Sequence, residues 1–276
     1  EMEWFMKIRL HQFLSKCGIF ESKNDVKKAI WSGEIEVNGS IMKDMKFEFN
    51  TNKKSVTYRG KILELPTKNY YFIVNKPTGH ICSRLSSQEK ILGKKSIFEI
   101  FKNNLSKSVY QSLVTVGRLD EDTTGLLLVT TDGKLVDRIT NPNNHVPKKY
   151  LVDTELDIVE EEVSAIRKGV DIKIIEENFT EKYTSRPAKI ILQDSNQAIL
   201  IIDEGKKRQI RRMFDSMGNY VVSIHRLAIG NMNLDDFNIN QGEFEEITLE
   251  KINKTIIMQK WQKNYENLLF VILNLE

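Results

Sequence analysis

The amino-acid sequence predicts an α+β protein of two domains: a small domain of two helices and short strands, then a larger domain built on a mixed or antiparallel sheet. Three observations support this fold class. The chain has 276 residues, about the length of two average domains. Its 40% hydrophobic and 29% charged residues are typical of a globular protein and exclude a collagen, a coiled coil or a disordered chain. Beyond residue 70, strand patterns outnumber helical patterns and do not alternate regularly with them, which favours α+β over a doubly wound fold.

The first predicted domain covers residues 6–65 and opens with two helices. The first helix is indicated by apolar residues at positions i, i+3, i+4 and i+7, namely Leu10, Phe13, Leu14 and Cys17. Ser22 has the residue type of an N-cap for the second helix, and Gly33 would end it. Asn38–Gly39 and Arg59–Gly60 then indicate two hairpin turns between short alternating stretches.

A linker over residues 66–69 is predicted to lead into the larger domain over 70–250, followed by a tail over 251–276. Seven strands are expected in the larger domain, at Tyr70–Asn75, Leu113–Arg118, Leu126–Thr131, Tyr150–Leu156, Ala188–Leu192, Ala198–Ile202 and Val221–Ile229. Four helices are expected, at Ile97–Lys107, Leu135–Thr140, Glu160–Arg167 and Lys206–Met217. The apolar run Leu268–Leu273 in the tail could be a closing strand or a helix, and it is too short to cross a bilayer.

The net charge of +3 conceals an uneven distribution. Residues 6–65 hold 12 basic and 7 acidic residues, a net of +5, so the remainder of the chain has a net of −2. The chain has 30 Lys but only 11 Arg, and four of these Arg fall within residues 208–226. A basic small domain fits a polyanionic partner, and clustered Arg suggests bidentate contacts in the larger domain.

Other compositional features argue against several classes of protein. The two cysteines, Cys17 and Cys82, have no C-x-x-C spacing and are expected to be reduced thiols. The four histidines are scattered without ligand spacing, so no metal site is expected. No signal peptide is recognised at the N-terminus. We therefore expect a soluble, cytoplasmic protein without a membrane partner.

The first candidate for chemistry is the segment Val116–Gly133. A polar loop that contains Asp120 lies here between two apolar strands, and such loops at the edge of a rigid sheet are common places for catalytic groups. The residues alone favour a simpler alternative by about two to one, namely an ordinary hairpin loop with solvated carboxylates. Glu121 and Asp122 fit that simpler description as well.

The second candidate is the basic segment Glu204–Phe214. On a helix, Arg211 would lie beside the apolar stripe, where it could meet a carboxylate, whereas Arg208 and Arg212 would turn further away. The alternative is a surface helix whose long side chains extend into solvent. The clustering of Arg in a chain rich in Lys favours a functional role.

Both segments, with two others, resemble motifs of the pseudouridine synthases, in particular the ribosomal RNA branch with an N-terminal alpha-L domain. The family's loop motif, G-R-L-D followed by T-x-G-L-L, is matched by Gly117–Asp120 and Thr123–Leu127. Its N-K-P-x-G turn is matched by Asn75–Gly79, and its K-x-Y-x-V strand by Lys148–Val152. Its basic helix is matched by Glu204–Phe214. The segment Ser22–Gly39 resembles the alpha-L RNA-binding motif of a ribosomal protein. It departs from that motif at His11, where Asp is usual, and at Lys23, where Arg is usual.

The resemblance implies conversion of uridine to pseudouridine in ribosomal RNA, without a cofactor. Asp120 would be the catalytic aspartate, acting either on the anomeric carbon or on a ribose proton. Tyr150 would pack on the flipped uracil, and Arg211 would pair with Asp120. Further contacts to substrate would come from Arg118, Lys76, Arg208 and Arg212. The N-terminal domain would bind RNA through Arg9, Lys16, Lys23, Lys27 and Lys28.

Details such as Arg138–Pro142 and Met217–Asn219 look most like the small-subunit enzymes, so 16S ribosomal RNA or an immature small subunit is the expected partner of a monomeric enzyme. A 23S uridine is the alternative target. Two other classes stay open: a catalytically silent RNA-binding assembly factor, and a glycoside hydrolase that uses Asp120 and Asp122 as a carboxylate pair.

Overall fold

The structure is a computed structural model that describes residues 7–20, 22–66, 68–176 and 179–257. The apolar run Leu268–Leu273 therefore lies outside the described residues. The described chain divides into two compact units. The first extends to Tyr70 and includes Phe101–Val114, and the second comprises Tyr71–Ile100 and the chain from Thr115 onward. The segment Phe101–Val114, which falls within the predicted larger domain, thus packs with the first unit.

Short strands and helices make up both units. The strands are β1 Lys7–Arg9, β2 Ile35–Val37, β3 Ser40–Ile41, β4 Glu48–Asn50, β5 Val56–Tyr58, β6 Lys61–Leu63, β7 Tyr71–Lys76, β8 His80–Ile81, β9 Lys95–Ser96, β10 Val114–Thr115, β11 Thr124–Thr130, β12 Lys148–Thr154, β13 Asp171–Glu176, β14 Phe179–Thr184, β15 Lys189–Asp194, β16 Gln197–Ile202, β17 Val221–Ile229, β18 Met232–Asn233 and β19 Phe244–Glu246. The α-helices are α1 Leu10–Lys16, α2 Lys23–Trp31, α3 Ser87–Ile91, α4 Lys107–Ser112, α5 Gly133–Thr140, α6 Glu160–Lys168, α7 Gln209–Ser216 and α8 Leu249–Ile252. Single 3-10 turns lie at Ile97–Phe101, Pro142–Asn144 and Leu234–Asp236, and a π-helical turn at Asn253–Ile257.

The first unit confirms the predicted helix and turn signals. The four stripe residues of α1 are all buried, against Ile30 and Ile35 among others. The hydroxyl of Ser22 accepts a hydrogen bond from the amide of Asp25, so the N-cap is confirmed. Asn38 and Gly39, with φ of 51° and 79°, form the first hairpin turn, and Arg59 and Gly60 form the second in the same way. The strands form a four-stranded antiparallel sheet in the order β3-β2-β5-β6 and a separate β1-β4 pair.

The second unit is built on a nine-stranded mixed sheet, which confirms the predicted fold class. Its main order is β15-β16-β12-β17-β11-β7-β19, with β10 added to β11 and β18 to β17. β11 and β17 are parallel, whereas β7 and β11, β12 and β16, β12 and β17, and β15 and β16 are antiparallel. Apolar residues of β7, β11 and β17 pack with Leu135 and Ile139 of α5 and with Ile252 and Ile256.

One predicted helix was wrong. The expected helix Ile97–Lys107 is a 3-10 turn over Ile97–Phe101, and α4 starts afresh at Lys107. The side chain of Ser106 caps α4 by accepting a hydrogen bond from the amide of Val109. The 3-10 turn and α4 are therefore separate elements, and the polar stretch between them joins the two. The antiparallel pair β13 and β14 was not predicted from the sequence. Among the described residues, none of the helices has the length and apolar character needed to cross a membrane.

Candidate active site

Five directly paired residues form a row across the sheet of the second unit. Leu200 of β16 pairs with Tyr150 of β12, Tyr150 with Arg226 of β17, Arg226 with Gly125 of β11, and Gly125 with Lys76 of β7. Residues directly opposite each other in a sheet direct their side chains to the same face. The side chains of Tyr150, Arg226 and Lys76 therefore share one face, with only a glycine between the latter two. We call these five residues the cross-strand row.

The loop that precedes β11 carries the candidate aspartate. Asp120 is partly exposed, and its carbonyl accepts a hydrogen bond from the amide of Thr123 in a tight turn. The preceding residue Leu119 is buried and holds the loop against the unit's interior. Within the described part of the chain, no group forms a hydrogen bond or an ion pair with the Asp120 carboxylate. This carboxylate is therefore available to a ligand.

Lys76 holds this loop in place, and its predicted contact with substrate stays a prediction. Its side chain is fully buried, and Nζ donates to the carbonyl oxygens of Thr123 at 2.7 Å, Pro77 at 3.1 Å and Glu121 at 3.2 Å. These three acceptors use all three ammonium protons. Burial lowers the pKa of Lys76, while Cys82 and the loop carboxylates, including Asp120, oppose that shift. The burial of Lys76 follows from its place at the end of a fully buried strand.

Arg211 lies at the rim of the core, as its helical position predicts, but its carboxylate partner is not Asp120. Its Nη2 lies 2.9 Å from Oδ2 of Asp122, and its Nη1 donates to the carbonyl oxygen of Val221 at 2.7 Å. Arg211 is 7% exposed, whereas the Asp122 side chain is 48% exposed. Arg211 therefore pairs with Asp122 instead of the expected Asp120. It joins α7 to the Asp120 loop through Asp122, and to the start of β17 through Val221.

The remaining arginines of the candidate site are more exposed. Arg208 precedes α7 in a left-handed conformation, and its Nη2 lies 3.9 Å from the same Asp122 oxygen. Arg212 is partly exposed and donates to the carbonyl oxygen of Lys207 at 2.9 Å. Arg118 is exposed at the start of the loop. The structure therefore brings Arg208 and Arg211 to the Asp120 loop and leaves Arg118 and Arg212 accessible to solvent.

Glu204 explains why α7 starts where it does. Its Oε1 accepts from the side-chain amide of Gln209 at 2.5 Å and from the backbone amide of Arg186 at 2.9 Å. The hydroxyl of Tyr183 donates to its other oxygen. A buried carboxylate needs such donors, and these fix the first turn of α7 against β14 and β16. The spacing of Glu204 and Gln209 in the basic motif therefore positions Arg211.

Arg226 is a site residue that the sequence analysis did not assign. It is 4% exposed, its Nε donates to the carbonyl oxygen of Leu126 at 2.7 Å, and its Nη2 has no hydrogen-bond partner among the described residues. It lies directly opposite Tyr150, which is also buried. Gly125 has a φ of 101°, and a Cβ there would lie 2.4 Å from the Arg226 carbonyl oxygen. The glycine thus permits the close approach of β11 and β17 at the row.

Lys148, at the start of β12, adds a second cation near this face. Burial and the neighbouring Arg226 lower its pKa to about 8, against the opposing effect of Asp203. Asp203 is itself buried and binds Arg186 at 3.1 Å and His145 at 2.6 Å. The described residues include no group of His, Cys, Asp and Glu arranged to hold a metal ion. This face carries Tyr150 and the cations Arg226 and Lys148.

The basic residues predicted to bind RNA lie on the two helices of the first unit. Lys23 and Lys28 of α2 are exposed, and Lys16 and Lys27 are partly exposed. Arg9 precedes α1, and its Nε lies 2.9 Å from Oε1 of Glu48. Both partners of that pair are half exposed, so the contact is weak and could be exchanged for a phosphate.

Comparisons with known proteins agree with the motifs and the sheet. Residues 70–216, more than half of the chain, match the family described as RNA pseudouridylate synthase. The chain is 32% identical over 250 residues to the ribosomal small subunit pseudouridine synthase A of Haemophilus influenzae, covering 90% of this chain and all of the relative. The same identity and coverage are found for the Escherichia coli protein of that name. A crystal structure titled pseudouridylate synthase superposes with a TM-score of 0.61 at 31% identity, over 90% of this chain and 99% of the other. The chain belongs to the RNA pseudouridylate synthase family.

Proposed function

We propose that this protein converts one uridine of 16S ribosomal RNA into pseudouridine, with Asp120 as the catalytic group. The observation that carries the assignment is the availability of the Asp120 carboxylate in a loop held rigidly by Lys76 and Arg211. The relatives named small subunit pseudouridine synthase A support the small subunit as the source of the substrate. The reaction breaks the bond between uracil N1 and the ribose, turns the base and joins its C5 to the same ribose carbon. It is an isomerisation in which C5 loses a proton and N1 gains one.

The cross-strand row and the arginines near the Asp120 loop complete the proposed site. A uridine within folded RNA must leave its stack to reach the loop, and the ring of Tyr150 offers it an apolar face. The buried guanidinium of Arg226 places positive charge behind that face, where a detached uracil would carry negative charge. Arg211 holds Asp122, and through it the loop, instead of contacting Asp120. Arg118, Arg208 and Arg212 are positioned to contact the phosphates of the flanking nucleotides.

The alternative functions have less support. A glycoside hydrolase would need Asp122 as a second catalytic carboxylate, but Asp122 is ion-paired with Arg211 at 2.9 Å. A silent binding factor would not require a rigid loop around an available carboxylate. A 23S target uses the same site, so only the RNA distinguishes it from the 16S target.

The first experiment measures the reaction and its RNA together. The protein is incubated with 16S transcript, 23S transcript and immature small subunits, and pseudouridine is mapped by chemical modification. We expect product in 16S RNA or the immature particle, none with Asp120→Asn, and nearly unchanged RNA affinity in that variant. Glu245→Gln, a change of an exposed carboxylate on β19, is the matched control and should retain activity. Product from Asp120→Asn would refute the catalytic assignment. Product only in 23S RNA would show that the target uridine lies in 23S RNA instead of 16S RNA.

The remaining assignments follow from this role. The first unit would bind structured RNA through Lys16, Lys23, Lys27, Lys28 and Arg9, and the protein would act as a monomer in the cytoplasm, where ribosomal subunits are assembled. Replacing Lys23, Lys27 and Lys28 together with Gln should weaken RNA binding and flatten its salt dependence. An unchanged salt slope would exclude these lysines from the interface.

A further inference from the structure

Two large apolar side chains are exposed to solvent on the segment between β8 and β9, which is attached to the Asp120 loop. Ile91 is 85% exposed and Leu92 is 73% exposed, more than any other large apolar residue of the described chain. They are adjacent, at the end of α3, in the excursion between β8 and β9. We call Ile91 and Leu92 the apolar tip.

The excursion that carries the apolar tip is well defined by its own hydrogen bonds. Ser86 and Glu89 form a capping box at the start of α3. Gly93 ends the helix with a φ of 67°, and its amide donates to the carbonyl oxygen of Lys90. The two arms of the excursion are joined by the parallel pairing of β8 and β9 and by the hydroxyl of Ser96, which donates to Ser83 at 2.7 Å. The tip is thus presented on a closed segment.

The same segment is attached to the loop that carries Asp120. Nζ of Lys94 lies 2.6 Å from Oε2 of Glu121, the residue that follows Asp120. The amide of Gly79, at the start of the excursion, donates to the carbonyl oxygen of Glu121 at 2.8 Å. Leu92 is two residues from Lys94, so their Cα atoms are at most about 7 Å apart. The segment that carries the apolar tip is therefore joined, through Lys94 and Gly79, to the residue that follows Asp120.

The charge around the apolar tip favours a polyanionic partner. Residues 84–95 contain four basic side chains and one acidic side chain. Apolar side chains surrounded by Lys fit a polyanion with an apolar interior, as a stacked nucleic acid is.

We propose that Ile91 and Leu92 insert into an RNA helix at the step that the target uridine vacates. The proposal rests on the proposed function, because it names how the substrate is opened. Extruding a base leaves a gap in the stack, and apolar wedges of this type are known to fill such gaps and to stabilise unstacked steps. The exposed Lys90 and Lys95 beside the tip bind the adjacent phosphates and fix the depth of insertion.

The test compares a uridine inside a stem with the same uridine in an unpaired loop. Ile91→Ser/Leu92→Ser should lower kcat/KM at least about tenfold on the stem, where the base must be extruded, and less than about twofold on the loop. The matched control is Ile191→Ser/Leu192→Ser, which alters another exposed Ile–Leu pair, on the edge strand β15. This control should be equal to the unaltered protein on both RNAs.

A second readout does not depend on catalysis. A 2-aminopurine next to the target uridine reports unstacking when the stem is bound by Asp120→Asn. This fluorescence should fall to less than half when the tip substitutions are added. Equal losses of kcat/KM on stem and loop, or no loss on the stem, would overturn the proposal. If the unaltered protein formed no pseudouridine in any RNA, the proposed function would fail, and the fluorescence would still accept or reject insertion of the tip.

Discussion

The buried ammonium of Lys76 leads to a quantitative prediction for Lys76→Met. The substitution keeps the length and apolar stem of the side chain and removes three donors to the carbonyl oxygens of Pro77, Glu121 and Thr123. A carbonyl left without a donor costs about 1 kcal/mol when water can partly reach it, so three give about 3 kcal/mol. The ammonium itself is disfavoured by burial, which is the main reason for its lowered pKa. Because methionine avoids that cost, we expect a net loss of about 2 kcal/mol in the free energy of unfolding.

The rate of pseudouridine formation should fall by more than the loss of folded protein explains. Two of the three carbonyls belong to the loop that carries Asp120, and a displacement of about 1 Å in a reacting group costs roughly a hundredfold in rate. The assays are urea unfolding and pseudouridine formation under conditions where the variant is fully folded. Lys168→Met, at an exposed position in the last turn of α6, is the matched control and should change neither quantity. If Lys76→Met unfolded within 0.5 kcal/mol of the unaltered protein and kept full activity, the role of Lys76 as the support of the loop would be refuted.

Two further changes test the strands that contain the cross-strand row. Gly125→Ala should destabilise the protein by about 3 kcal/mol or more in urea unfolding, because the new Cβ meets the Arg226 backbone at 2.4 Å and φ is 101°. Gly133→Ala, which has open space around it, should be neutral, and equal stability of the two variants would disprove the close approach. For Lys148, the folded pKa of about 8 lies below the usual 10.5, so the unfolded chain binds more protons between these values. The free energy of unfolding of the unaltered protein should therefore rise from pH 8 to pH 10.5 relative to that of Lys148→Met, by at most about 3 kcal/mol. A difference between the two proteins that stays constant over this range would exclude the lowered pKa of Lys148.

The patterns of single elements could be predicted from the sequence. Strand β17 was expected at Val221–Ile229 and is found there, because the turn residues Gly218–Asn219 and Gly230–Asn231 bound the segment on both sides. The segment Ile97–Lys107 carries apolar residues at helical spacing, but that spacing does not reveal that Ser106 begins a new helix. The pair β13 and β14 contains many charged residues, which obscure the strand pattern.

The candidate site could be located from its motifs, but its pairings could not. Helical phase places Arg211 at the rim of the core, yet Asp120 and Asp122 lie two residues apart and only the path of the loop decides which of them it meets. Lys76 ends a mainly apolar strand and precedes Pro77, so its type suggests an exposed cation. Its burial depends on strand β11 and the loop, which lie about 45 residues further along the chain.

The cross-strand row also determines when the protein can become active during its synthesis. Its members extend from Lys76 to Arg226, and the contact of Thr124 with His225 joins positions 101 residues apart. Contacts this distant form late in folding, because a long intervening chain must first be ordered. A nascent chain that has not yet released β17 from the ribosome lacks the strand between Tyr150 and Gly125. The enzyme therefore cannot modify RNA before β17, which ends at Ile229, has left the ribosome.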